Sequence, residues 1–281
     1  MLRILALGDI VGRPGRQVVA EKLPGLVKQH NVDLVIANGE NIAGGSGITQ
    51  NLFNKLRAYG VDVVTLGDHV FKKLDIVDTM ARSERIVRCA NLSRLAAGRG
   101  HTVVRTNAKN IPVAVFAVMG RVYVPTMAVD DPFAAADRVL QDVKDMAKVI
   151  VCDIHAEATG EKVALGHHMD GRASFIFGTH THIPTADAKI LPGGTAYITD
   201  LGMCGPYDSV LGRRKDNVVR AMTTNMPYPY DVATGDVRLC GALVDIDETT
   251  GKATAIERIE VQGANVSPAY DADDHAKGGK A

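Results

Sequence analysis

SFIFGTHTHIPTAD, residues 174–187, is the stretch on which the fold reading turns. An apolar run the length of one strand stops at Gly178, and two histidines, His180 and His182, follow it two positions apart. A short continuous apolar run bounded by a turn residue reads as a strand buried on both faces. Imidazoles at its mouth are either polar loop residues or metal ligands, because i and i+2 side chains on a bent loop can reach neighbouring positions.

Four other apolar runs end in the same way. RILAL (3–7) stops at Gly8–Asp9, and DLVIA (33–37) at Asn38–Gly39–Glu40–Asn41. DVVTL (62–66) stops at Gly67–Asp68–His69, and VIVCD (149–153) runs up to His155. One aspartate at a strand end is ordinarily a cap or a turn residue; the repetition is what carries a metal reading. Sites in α/β sheets form outside the carboxyl ends of strands. If these strands are neighbours, Asp9, Glu40, Asn41, Asp68, His69, His155, His180 and His182 converge on one crevice. Mixed oxygen and imidazole donors suit Mn, Fe, Zn or Ni better than Ca or Mg. Seven or eight donors are too many for one transition-metal ion and about right for two. Two ions about 3.5–4 Å apart form the usual clamp for displacement at a phosphate ester.

Around these strands the chain alternates with helical segments up to about residue 190, which indicates an α/β core. Pro14 is placed to open a helix carrying GRQVVAEKL, and Pro24 is expected to break or restart it. Thr49 reads as the N-cap of QNLFNKLRAY, and Gly60 as its stop. Asp131–Pro132 opens a helix reaching about Lys148, with Phe133, Ala136, Val139, Leu140, Val143 and Ala147 on one stripe. Beyond residue 186, AKILPGGTAYITD reads as a hairpin turning at Gly193–Gly194. RLCGALVDIDETTGKATAIERIEV reads as another, turning near Thr249–Gly251. No linker or repeat interrupts the chain, so one domain is expected over 1–262. The tail, 263–281, lacks apolar periodicity and is expected to be disordered.

Composition narrows the function classes. The 281 residues are 46% hydrophobic and 23% charged, which is ordinary for a globular protein. Lys plus Arg and Asp plus Glu are each 32, so no global basic field draws the chain to nucleic acid. Trp is absent and aromatics are 5%, which disfavours a base-stacking platform. No stable nucleic-acid partner is expected; a small charged substrate and a homo-oligomer both stay open. The four cysteines form no C-x-x-C pair and read as buried reduced thiols. The N-terminal apolar run stops at Asp9, too short for a signal peptide, and no run reaches about 18 apolar residues. A cytoplasmic protein without a membrane partner is expected. GDIVGRPG lacks the spacing of a dinucleotide turn, and AGGSGIT (43–49) lacks the G-K-[ST] of a P-loop. That loop either approaches a substrate or merely leads into a helix. His167–His168 in LGHHMDG reads as a solvated loop. Arg13 and Arg16 either meet substrate phosphate or lie on a helix surface.

GDIVGRPGR, NGENIAGGSGIT, DIHAEATGEK, DGRASFIFGTHTHIPTAD and GTAYITDLGMCGPYDSVLG together resemble the YmdB-like family of calcineurin-type metallophosphoesterases, from residue 1 to about 262. The resemblance implies a four-layer α/β/β/α sandwich and a dinuclear metal centre. It also implies a phosphodiesterase, a hydrolase of phosphoric ester bonds, with 2′,3′-cyclic nucleotides as the substrate class. By position it makes Asp9, Glu40, Asn41, Asp68, His155, His180 and His182 metal ligands, with Glu40 bridging. His69 takes the place of the catalytic histidine. Fe or Mn is expected first, Zn or Ni next. The family's usual G-N-H is Gly67–Asp68–His69 here, so a carboxylate stands where the family has an amide. The expected mechanism is attack on phosphorus by a metal-bridging hydroxide, with His69 stabilising or protonating the leaving oxygen. Two other readings remain beside it: a regulatory metal-binding protein with little turnover, and a phosphomonoesterase or 5′-nucleotidase.

Overall fold

The structure is a computed structural model that describes residues 1–124, 127–267 and 273. Its first half comprises β1 (Leu2–Leu7), β2 (Asp9–Ile10), α1 (Gly12–His30), β3 (Leu34–Asn38), α2 (Gln50–Tyr59), β4 (Val63–Thr65), α3 (Ile76–Arg82), β5 (Ile86–Val87), β6 (His101–Arg105), β7 (Pro112–Met119) and α4 (Pro132–Val143). Then follow β8 (Val149–His155), α5 (Thr159–Met169), β9 (Phe175–Thr179), β10 (Lys189–Ile190), β11 (Ala196–Ile198), β12 (Met203–Pro206), α6 (Lys215–Thr224), β13 (Val237–Ile246) and β14 (Ala253–Gln262).

Two sheets face each other. One runs β2-β12-β13-β1-β3-β4-β5 with β14 on β13; the other runs β10-β11-β9-β8-β7-β6. Side-chain alternation explains why their inner strands read as unbroken apolar runs. In β1, Leu2, Ile4 and Ala6 point to the space between the sheets, where they join Val115, Val151 and Phe177. Leu5 and Leu7 point the other way, towards Val18 and Leu23 of α1 and Leu52 and Leu56 of α2. In β8, Val149 and Val151 face inward while Ile150, Cys152 and Ile154 meet Val139 of α4 and Leu165 of α5. The order is helices, sheet, sheet, helices: the expected four-layer α/β/β/α sandwich.

Several local expectations are met. Thr49 caps α2 by accepting from Leu52 N, and Gly60 ends it in a left-handed conformation. Asp131 caps α4 through Phe133 N and Ala134 N. Both late hairpins are present, β10 with β11 and β13 with β14. All four cysteines are buried and free. No described helix is long and apolar enough to cross a membrane.

Others are corrected. Pro24 does not break α1, which runs through it. A proline inside a helix costs about 3 kcal/mol. Burying Val18, Val19, Leu23 and Leu26 against the sheet offsets that, at roughly 1.5–3 kcal/mol for each fully buried side chain. Helix α4 stops at Val143, short of Lys148. His167 and His168 lie in the last turn of α5, anchored by buried Leu165 and Met169, and not in a loop. The five strands are not all neighbours: β1, β3 and β4 are adjacent in one sheet, β8 and β9 in the other. Their carboxyl ends meet across the sandwich. Most of the tail 263–281 lies outside the described residues; in its described part, Gly263 N donates to Val237 O and Val266 N to Thr234 O.

Gly60 has φ 106°, and the nearest atom to a Cβ placed there is Leu23 Cδ2 at 4.0 Å. Space is available, so only backbone conformation opposes a side chain. Gly60→Ala is expected to destabilise the fold by roughly 1–2 kcal/mol. Urea denaturation should show a lower midpoint at an unchanged slope; an unmoved midpoint would count against the left-handed cap.

Candidate metal centre

Each strand delivers its polar residues at or just beyond its carboxyl end. Asp9 follows β1, Glu40 and Asn41 follow β3, Asp68 and His69 follow β4, His155 ends β8, and His180 and His182 follow β9. All eight lie together at one edge of the sandwich. Asp9, Glu40 and His155 are fully buried, and Asn41 and Asp68 nearly so.

They form two groups that share Glu40. In the first, His155 Nε2 lies 3.1 Å from Asp68 Oδ1, 3.3 Å from Glu40 Oε1 and 3.0 Å from His180 Nδ1. One donor atom from each of Glu40, Asp68, His155 and His180 falls within 4.8 Å of all the others, a set able to hold a metal ion. In the second, Asn41 Nδ2 lies 3.4 Å from Asp9 Oδ1, 3.2 Å from Glu40 Oε1 and 3.2 Å from His182 Nε2. The amide N–H groups stand here among acceptors. Turning the amide over would present its oxygen to a cation held by Asp9, Glu40 and His182.

The surroundings fix which ring nitrogen faces inward. His155 Nδ1 lies 2.9 Å from Thr179 Oγ1, which itself donates to Asp153 Oδ1 at 2.7 Å. The hydroxyl has one hydrogen and gives it to the carboxylate, so it accepts from His155 Nδ1–H. That turns Nε2, the nitrogen a metal ion would take, toward Glu40 and Asp68. Thr65 Oγ1 and Asn38 Nδ2 donate to Asp153 Oδ2 from the other sheet, at 2.5 and 3.2 Å. His182 Nδ1 donates to Leu211 O at 3.0 Å, freeing its Nε2, and His180 Nε2 faces Glu157 Oε2 at 3.3 Å. A partner on the distal nitrogen is what orients a metal-binding imidazole.

Electrostatics record the same crowding. Burial opposes charge on Asp9, yet His182, His155 and the His180 N–H hold its carboxyl well below the usual range. Burial likewise opposes charge on Asp68, but hydrogen bonds from His155 and His180 hold it far below. Burial disfavours a charged His155, but Glu40 and Asp68 push it well above an ordinary imidazole. Burial pushes Asp153 up to about 6. The first group therefore draws positive charge into a space where four electron-rich atoms converge, and a divalent cation meets that demand. The donor set fits the implied metal.

Backbone geometry keeps the set tight. A Cβ on Gly67 would lie 2.3 Å from His155 Nε2 and 2.4 Å from Glu40 Oε2, so only glycine permits this approach. His180 and His182 have φ 89° and 64°, uncommon for side-chain-bearing residues. A buried ion pair holds this loop. Lys162 Nζ donates to Thr179 O and to Asp200 Oδ2, each at 2.7 Å, and Asp200 Oδ2 accepts Thr181 Oγ1–H at 2.7 Å.

Sequence reasoning missed Asn38, Thr65, Asp153, Glu157, Lys162, Thr179, Asp200 and the Leu211 carbonyl. Asp153 carried a signal: it precedes His155 by two on one strand and so shares its face. Arg13 and Arg16 do not line the pocket over the centre. Arg16 donates to Ile42 O at 2.5 Å and Arg13 to Ser267 O at 3.4 Å.

The chain is similar to known proteins along nearly its whole length. The model of the family described as YmdB-like protein matches residues 5–259. A 2′,3′-cyclic-nucleotide 2′-phosphodiesterase of Bacillus subtilis (strain 168) is 44% identical over 258 residues, 92% of this chain and 96% of that protein. The crystal structure of a hypothetical protein from Thermus thermophilus superposes with a TM-score of 0.86 at 36% identity, over 94% of this chain and 100% of that one. A Mycoplasma pneumoniae protein described as a novel phosphatase gives 0.87 at 31% identity, over 95% of each chain. On these matches, the chain belongs to the YmdB-like protein family.

Proposed function

We propose that this chain is a dinuclear metal-dependent phosphodiesterase that hydrolyses 2′,3′-cyclic nucleotides, with 1–262 as its catalytic domain. The observation that carries the two-ion reading is Glu40 Oε1, which stands between His155 Nε2 at 3.3 Å and Asn41 Nδ2 at 3.2 Å. One carboxylate so placed can serve both groups. Asp9, Glu40, Asn41 and His182 would hold one ion, and Glu40, Asp68, His155 and His180 the other. The mixed oxygen and imidazole donors suit Mn or Fe, with Zn or Ni next. When bound, the ions polarise the phosphoryl oxygens and ionise water near neutral pH. The substrate assignment is supported by the likeness to the Bacillus subtilis enzyme.

The chain's own residues supply position and protons. The water oxygen bonds to phosphorus, one ester P–O bond breaks, and the released oxygen needs a proton. His69 is placed to give it. Its backbone N–H donates to Glu40 Oε2 at 3.0 Å, and its Nδ1 lies 2.7 Å from the Asn41 amide, which, turned to give its oxygen to the ion, would donate Nδ2–H to that nitrogen. Nε2 is then the nitrogen left to carry the proton, on a ring 26% exposed at the pocket. The deciding experiment is metal analysis of the purified protein with assays on bis-p-nitrophenyl phosphate and a 2′,3′-cyclic nucleotide panel. Metal-loaded protein that turns over neither would reject the proposal in favour of a metal-binding regulator.

Three outcomes are expected of variants. His180→Ala and Gly67→Ala should each lower bound metal and nearly abolish hydrolysis while circular dichroism stays unchanged; full metal content at unchanged rates would remove the His180 group from the centre. His69→Ala should keep its metal but lose about 10²–10⁴-fold on cyclic nucleotides, and lose less on p-nitrophenyl esters, whose leaving group needs no proton. Equal losses on both would argue against proton donation. Asp68→Asn removes one negative charge beside the ions. It should therefore release metal more readily to a chelator yet raise turnover at saturating metal, since a transition state gathering negative charge meets a more positive centre. Unchanged chelator sensitivity would place residue 68 outside the coordination sphere.

A further inference from the structure

Over the metal centre lies a pocket of about 260 Å³ with two unlike ends. At the inner end are Glu40, Asn41, His69, His180 and His182. At the outer end are Val210, Leu211, Val218, Met222 and Tyr230, carried by the segment before α6, by α6 itself and by the segment after it. The apolar outer wall is far from satisfied: Met222 is 70% exposed, Tyr230 50% and Leu211 46%. Exposed apolar surface contiguous with a polar site is the mark of a ligand-binding groove.

Arg213 is the charged residue on that outer side, and its guanidinium is occupied by backbone. It donates to Gly44 O at 3.0 Å, to Tyr230 O at 2.9 Å and to Gly45 O. It clasps the glycine-rich loop to the Tyr230 segment and sets the wall's position. The Leu211 carbonyl is likewise taken by His182 Nδ1. Apart from Arg213, Tyr230 supplies the one polar side-chain group among the described residues of the outer end. A second phosphate or a carboxylate would meet apolar surface there and lose its hydration. A flat uncharged group would bury Met222, Leu211 and the Tyr230 ring, and stacking on such a ring is indifferent to which base is stacked.

We propose that this wall, led by Met222 and Tyr230, is the nucleobase subsite, and that it holds the base by apolar contact without reading its identity. The inference rests on the phosphodiesterase reading above. It requires the enzyme to favour a substrate with a base over the same cyclic phosphate without one, and to discriminate weakly among bases. Apolar pockets reject close analogues by only about 10–200-fold, whereas sites built to hydrogen-bond a group reject its absence far more strongly.

The test uses metal-loaded full-length protein and five substrates: the 2′,3′-cyclic phosphates of adenosine, guanosine, cytidine and uridine, and ethylene phosphate, the same strained ring without a nucleoside. Hydrolysis of each is followed by ³¹P NMR. The expected kcat/KM for the adenosine cyclic phosphate exceeds that for ethylene phosphate by about a hundredfold, with the four nucleotides within about tenfold of one another. Met222→Asp and Tyr230→Ala should each cut the ratio of adenosine cyclic phosphate to ethylene phosphate about tenfold, mainly through KM. Ethylene phosphate hydrolysed with the ratio unmoved in both variants would overturn the subsite. A single base preferred by several hundredfold would overturn the apolar mode of recognition. No hydrolysis of any of the five would overturn the phosphodiesterase reading itself, and the subsite with it.

Discussion

The mutual repulsion of electron-rich atoms held at close quarters is the constraint on which the rest of this structure depends. Glu40, Asp68, His155 and His180 each bring a donor atom to one small volume, where only protons shared between imidazole and carboxylate relieve their repulsion. Burial, a glycine that permits the approach, and fixed partners behind each ring keep them in place. Thr179 and Asp153 stand behind His155, Leu211 O behind His182, and Glu157 behind His180. The fold holds open an unfavourable arrangement that a cation makes favourable. Much of the sandwich serves that end, because three of the strands come from one sheet and two from the other, and only their packing sets the distance between the groups.

What was legible from sequence follows from this. Residues that approach a metal sit at strand ends, where the chain must turn, so glycine and a polar residue recur together after four of the five apolar runs. That habit pointed to all eight residues the structure brings together. The partners behind them were less visible for a physical reason. Thr65, Thr179 and Asp153 act from inside strands, where a single polar residue is masked by its apolar neighbours. Lys162 and Asp200 come from a helix and from a loop distant in sequence, and their pairing is decided by tertiary contact alone.

The same logic sorts the elements. Thr49, Gly60 and the Asp131–Pro132 pair act within a few residues, so their effect is readable locally. Pro24 was misread because a helix packed against a sheet by Val18, Val19, Leu23 and Leu26 tolerates a lost hydrogen bond that a solvated helix would not. Between residues 70 and 130 no element was expected, yet β7, wholly buried after its first residue, lies there as the neighbour of β8. Its run PVAVFAVM lacks the polar ending that drew attention to the others.

The place of β13 bears on the order in which the molecule comes together. This strand, residues 237–246, lies antiparallel to β1 and pairs Leu2 through Leu7 with Ile246 through Gly241. Until it has emerged during synthesis, β1 has β3 on one side and an open edge on the other, and Asp9 hangs from the end of that incomplete strand. Such pairings across nearly the whole chain are slow to form, and their edges are prone to stray association until they do. The centre cannot reach its final shape early. A chain carrying Glu40, Asp68 and both flanking imidazoles therefore holds the chemistry of a metal site before it holds the geometry, and the pairing of β13 with β1 acts as the gate between the two.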